Sequence, residues 1–239
     1  MSRYLVGFDR FIALDWANYA FELSSGSDSE KAKILQLKSW LSLRVSGKDA
    51  ARKTANVLTR LWLDTNPDVL YFRGGAQKIS LGIKKSDLVV FHWGIALVTF
   101  PFFYETCTQL GRLFALQPII TRQEIQVRMA EKYSNQGTVP RSVDRVIQSL
   151  VDWGLLERPS YQELSKKHYQ SLDTLLKKWL LEIVVYAVPH KRISVQGLYK
   201  LPVLFPFEYN GGVGNIISDS PKIKTERGGD NFEYAVWNA

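Results

Sequence analysis

The chain has a single cysteine, Cys107, among 239 residues. A lone thiol closes no internal disulfide, and His92, His168 and His190 stand at no metal-ligand spacing. The expectation is a protein of a reducing cytoplasm with no bound metal. Glycines pair at Gly74-Gly75 and Gly228-Gly229, but no Lys-Ser/Thr follows either pair, so there is no phosphate-cradling loop. The dinucleotide fingerprint and the G-x-S-x-G elbow are missing too. MSRYLVGFDRF lacks the basic-then-apolar plan of a signal peptide. The most apolar run, Leu88 to Tyr104, is short for a membrane span, carries His92 and is broken by Pro101. It reads instead as a buried helix pair. Asp9, Asp15 and Glu22 are the acids a nuclease would draw on, but acids beside an amphipathic helix are ordinarily solvated. A non-enzymatic protein is therefore expected, with no cofactor, no small-molecule substrate and no membrane.

What remains is a basic, aromatic-rich chain. Hydrophobic residues make up 46% of it, enough for a packed core, and the net charge is +8. The charge is uneven. Residues 31–85 hold 12 Lys and Arg against 3 Asp and Glu, whereas residues 121–158 hold 6 against 5. A polyanion would meet its strongest field in the N-terminal third.

Three segments are expected: a basic helical module with helix-turn-helix character (1–85), an apolar helix pair followed by a second helix-turn-helix (86–158), and a C-terminal helix and hairpin extension (159–239). The fold class is mainly α with small β. Helices are expected over Arg10 to Leu23, Ser29 to Leu43 and Lys48 to Leu63 from their apolar spacing. Val45-Ser46-Gly47 is read as the short turn between the last two. Lys48, Arg52, Asn56 and Arg60 recur every four residues, with Lys53 beside them, opposite an apolar stripe of Ala51, Ala55, Leu58, Leu61 and Trp62. Lys, Arg and Asn are the side chains that reach phosphates and base edges. A solvated face is the bland alternative, but three acids are too few to lace so many cations with ion pairs.

Asn66-Pro67, Gly74-Gly75 and Gly82 make 64–85 read as loop, with Ser86 capping the apolar helix that follows. His92 and Cys107 are expected to be core residues. Gln117 to Ile120 suits a short strand, and Thr121 with Glu124 is a capping box. Ser134-Asn135-Gln136-Gly137 is a turn, Thr138 a cap, and Pro140 sits in the first turn of the next helix. Val143, Val146, Ile147, Leu150 and Val151 form its buried stripe, leaving Arg141, Ser142, Arg145, Gln148 and Ser149 outside. Gly154 ends it before a strand at Leu155-Leu156-Glu157.

This stretch resembles the winged helix-turn-helix superfamily, in which S-x-x-R-x-(I/L)-x-x-L-x-x-x-G-(L/I)-(L/I) recurs. Here the pattern stands as Ser142, Arg145, Ile147, Leu150, Gly154, Leu155 and Leu156. The resemblance implies a site for DNA, RNA or protein, with Arg141, Ser142, Arg145 and Gln148 facing a groove and Lys166-Lys167-His168 on or beyond the wing. A basic helical module followed by such a unit also resembles, in order and size, the small DNA-binding proteins of bacterial anti-phage islands of the BREX A type.

Further on, Leu172 to Val188 is expected as a helix burying Leu175, Leu176, Trp179, Leu180, Ile183 and Val184, closed by Pro189. A short helix from Ser194, a turn at Asn210-Gly211-Gly212 and a hairpin of Lys222 to Arg227 with Phe232 to Trp237 follow, giving the C-terminal part weak winged character. The functional expectation is non-catalytic binding of double-stranded DNA in a bacterial defence or regulatory system. The alternative is an adaptor or scaffold subunit of a protein or ribonucleoprotein complex.

Overall fold

A computed structural model describes residues 6–133, 137–167, 172–188, 192–207, 217, 219–229 and 232–238. The expected turns at 134–136 and 210–212, the His168 neighbourhood and the Pro189 stop lie outside the described residues. The fold is mainly α with two small antiparallel sheets.

Three helices open the chain: α1 (Leu14–Ser25), α2 (Glu30–Ser42) and α3 (Lys48–Leu58). Ser29 caps α2 by accepting from the Ala32 N–H. The link to α3 takes five residues, 43–47, two more than expected, and Gly47 at φ +89° makes the entry into α3. α3 runs straight into one wide turn, Thr59–Leu63, where the Asp64 N–H reaches back to the Thr59 carbonyl.

Residues 67–80, expected as loop, are instead helix α4 (Pro67–Ser80). Val69, Phe72, Arg73 and Ala76 are its buried residues, spaced three and four apart. Glycine here serves packing: a Cβ on Gly75 would stand 3.1 Å from the Trp179 indole. Arg73, 3% exposed, donates to the Leu61 (3.0 Å), Arg60 (2.5 Å) and Asp64 carbonyls, so it closes the C-terminal end of the wide turn. Burial lowers its pKa to about 10, and Asp64 and Glu30 oppose the drop.

The apolar pair follows as α5 (Leu88–Thr99) and α6 (Pro101–Phe114), meeting at 115°. No single described helix is long and apolar enough to cross a membrane. Ser86 lies in a short turn before α5 and makes no cap; Pro101 starts α6, where its missing N–H costs nothing. α5 is the hub: it packs on α4, α6 and α9 (Thr174–Ala187), and Gly94 lets α9 approach so closely that a Cβ there would sit 2.6 Å from Trp179. His92 on α5 is fully buried and satisfied, accepting from Trp62 Nε1 at Nδ1 (3.0 Å) and placing its Nε2–H on Asn18 Oδ1 (2.9 Å).

Next come β1 (Ile119–Thr121), α7 (Arg122–Lys132), α8 (Val139–Asp152), β2 (Leu156–Glu157) and β3 (Glu163–Lys166). The sheet order is β1-β3-β2, with Ile120 opposite Leu164 and Glu157 opposite Ser165. The Thr121–Glu124 capping box forms in full. Thr138 has helical dihedrals and offers no side-chain cap. Gly154 (φ +72°) closes α8: its N–H bonds the Val151 carbonyl and the Leu155 N–H bonds the Leu150 carbonyl, the two bonds of a Schellman motif.

After α9 come β4 (Arg192–Ser194), α10 (Val195–Leu198), a single turn at Pro202–Leu204, β5 (Ile223–Arg227) and β6 (Glu233–Trp237), with sheet order β4-β6-β5. Both halves thus run helix, strand, helical segment, hairpin, and in both the first strand pairs with the last. The Pro202–Leu204 turn seats on α6 at Gly111, where a Cβ would meet the Pro202 carbonyl oxygen at 1.8 Å. Leu175, expected on the buried face of α9, is 60% exposed.

Candidate nucleic-acid interface

The basic face of α3 is built by its own amphipathicity. Ala51, Thr54, Ala55, Val57 and Leu58 face inward and are buried, which leaves Lys48, Arg52, Lys53 and Asn56 exposed on the outside. Arg52 reaches Asp49 at 3.4 Å, a solvent-exposed pair of small energetic weight. Lys48 and Lys53 make no ion pair among the described residues. Lys48 opens the helix, where the macrodipole disfavours a cation, and no side chain caps that turn. Local stability therefore does not account for Lys48. Arg60 falls in the wide turn, which shifts it out of strict four-residue register with Lys48. Although exposed, its guanidinium lies over the Phe100 ring at 4.7 Å.

The second candidate element, α8, carries less than expected. Arg141 is exposed near its start. Ser142, expected outside, is 3% exposed and donates to the Thr138 carbonyl, so it back-bonds within its own helix. Arg145 donates to Gln148 Oε1 at 2.7 Å, and both are half-buried. Ser149 is fully buried. Ser149 is covered by the N-terminal segment, residues 8–14, which lies against the second half of α8. The Ile12 N–H donates to Ser149 Oγ (2.9 Å) and Trp153 Nε1 donates to the Ile12 carbonyl (2.9 Å). The Leu14 N–H donates to Asp152 Oδ2 (2.6 Å), and Phe8 meets Trp153 edge-on at 6.5 Å. Nothing in the helical spacing of α8 foretold a cover 140 residues away in sequence; a polar serine at an i, i+7 interval from another serine was the only trace.

Asp144 on α8 takes Arg122 at 3.5 Å and Gln126 at 2.8 Å, so it ties α8 to α7. Arg122 also stacks on Tyr161, 71% exposed in the loop between β2 and β3. Lys166 and Lys167 are exposed, but Lys166 pairs with Leu156 at the end of the hairpin remote from that loop. The structure thus joins Arg122 and Tyr161 at the loop, and separates Lys166 and Lys167 from it.

The acids named as nuclease candidates do not converge: Asp9 reaches Arg10 at 3.8 Å, and Asp15 and Glu22 are exposed on α1. Among the described residues no three His, Cys, Asp or Glu side chains could hold one metal ion. Cys107 is fully buried, and burial pushes its thiol pKa up, away from reactivity. Comparison with protein-family models, with curated proteins and with solved structures finds no match for this chain.

Proposed function

We propose that this chain is a non-catalytic protein that binds double-stranded DNA. The observation that carries the reading is the outward face of α3, where Lys48, Arg52, Lys53 and Asn56 are exposed, with Arg60 exposed in the turn that follows, within the segment 31–85 that holds 12 Lys and Arg against 3 Asp and Glu. Phosphate neutralisation dominates affinity for DNA, so this helix supplies most of the grip. The order of β1, α7, α8, β2 and β3 is that of a winged helix-turn-helix, which supports the superfamily resemblance. In this reading Arg141 and Arg145 on the first half of α8 enter a groove and set register, while Gln148 acts through Arg145. Lys166 and Lys167 contribute field rather than a wing-tip contact. A place in a bacterial defence or regulatory system is the setting the resemblance implies.

The test is binding of labelled duplex DNA, single-stranded DNA and RNA side by side at increasing salt. Duplex should bind tightest and weaken steeply with salt; absence of duplex binding at low salt contradicts the reading. The second reading, an adaptor subunit of a protein or ribonucleoprotein assembly, is favoured by the covered second half of α8, which leaves that helix little length for a groove. A partner that stays bound after nuclease treatment supports it.

A further inference from the structure

The surface between α4 and α9 holds an open groove of about 470 Å³, lined by Leu70, Tyr71, Ile79, Leu175 and Trp179 among others. Its apolar walls face solvent: Leu70 is 47%, Tyr71 42% and Leu175 60% exposed. Covering this apolar surface would be favourable, so the joint exposure of these side chains along one groove marks a contact surface. Gly74 and Gly75 line it and add no side chain. A Cβ on Gly74 would meet nothing within 4 Å, so the groove is open where the backbone of α4 passes.

The rim is basic. Lys78 and Lys178 line the groove, and Lys222 holds its Nζ 5.7 Å from the Tyr71 ring. None of the three makes an ion pair among the described residues; Lys178 donates to the Asp219 carbonyl. The one acid among the lining residues, Glu182, is 6% exposed and already accepts from Tyr71 Oη (3.1 Å) and Ser220 Oγ (2.7 Å). The groove therefore offers an apolar floor and a rim on which three lysines outnumber the one acid, Glu182, whose carboxylate is buried.

We infer that the α4–α9 groove docks an acidic, apolar-faced segment of a partner protein. Apolar side chains of the partner lie over Leu70, Tyr71 and Leu175, and its carboxylates meet Lys78, Lys178 and Lys222. This surface does not use the α3 face, so it stands whether or not the chain binds DNA.

The test uses two labelled amphipathic peptides with the same leucine and phenylalanine positions, one with glutamate and one with lysine at every polar position, titrated into the full chain. The glutamate peptide is expected to bind about tenfold or more tightly than the lysine peptide. A Cβ on Gly74 has open space, so Gly74→Phe places a ring on the α4 backbone at the groove and is expected to weaken the glutamate peptide by about tenfold or more, with Tm not lowered because a helical glycine is removed. Lys78→Glu is expected to reduce the preference between the peptides. Equal binding of both, no binding of either, or binding indifferent to Gly74→Phe overturns the inference. So does self-association of the chain that Gly74→Phe abolishes, since the occupant would then be a second copy. Duplex DNA binding measured on Gly74→Phe should equal that of the parent chain, which separates this surface from the proposed DNA face.

Discussion

The Asp152 carboxylate accepts the Leu14 backbone N–H at 2.6 Å, across 138 residues of sequence. Leu14 is the first residue of α1, and its preceding cap residue, Ala13, has no side chain to offer. A residue on α8 therefore caps a helix in the other part of the molecule, and the carboxylate lies at the positive end of that helix. Asp152→Ala should lower stability by about 1–2 kcal/mol, and Asp152→Asn, which keeps an acceptor without the charge, by less. Chemical denaturation of the two variants checks the order; equal losses would remove the charge from the account.

His92 makes stability depend on pH. Burial lowers its pKa from 6.5 to about 3, so the folded protein holds the ring neutral where the unfolded chain would protonate it. The unfolded state binds more protons between these values. Stability from this residue is present above pH 6.5 and is lost as pH falls toward 3, at up to about 1.4 kcal/mol per pH unit. Thermal melts of the parent chain and of His92→Gln, which keeps one acceptor and one donor, should differ in slope across that window, the variant being flatter. Parallel slopes would contradict the buried neutral ring.

Two glycines hold elements at backbone distance. Gly94→Ala drives a methyl into Trp179 and Ile183, and Gly111→Ala into the Pro202 carbonyl. Each should cost about 1–3 kcal/mol as overpacking, Gly111→Ala the more because it meets backbone. Gly74→Ala, with open space at its Cβ, should raise stability by about 0.5–1 kcal/mol. A common loss at all three positions would refute the packing argument.

The sequence was most legible where local chemistry alone decides conformation. Thr121 with Glu124, Pro101 and Pro140 in first turns, and Gly154 at positive φ each fixed an element boundary. The α3 face was legible because a single periodicity separates its buried and exposed residues. α4 was hidden because Pro67, Gly74 and Gly75 signal breaks locally, whereas Pro67 is a helix start and Gly75 answers to Trp179, more than a hundred residues on. Ser142 and Ser149 were misplaced for a related reason. Serine is polar in any periodic pattern, but Ser142 and Ser149 both donate back to their own helix, and Ser149 also accepts the Ile12 N–H from the other end of the chain. The repeated sheet order of the C-terminal half was faint because α10 spans only four residues, too few to show a period.

The central claim is that α3 grips DNA through its phosphates, and the direct measurement is the salt dependence of duplex binding for the parent chain and for Lys48→Ala with Lys53→Ala. Both lysines are exposed and make no ion pair among the described residues, so the double variant should fold with unchanged stability. The account predicts that the slope of log Kobs against log salt becomes shallower by about 2, with weaker binding at low salt. A double variant that binds duplex DNA with the parent's slope and affinity would contradict it.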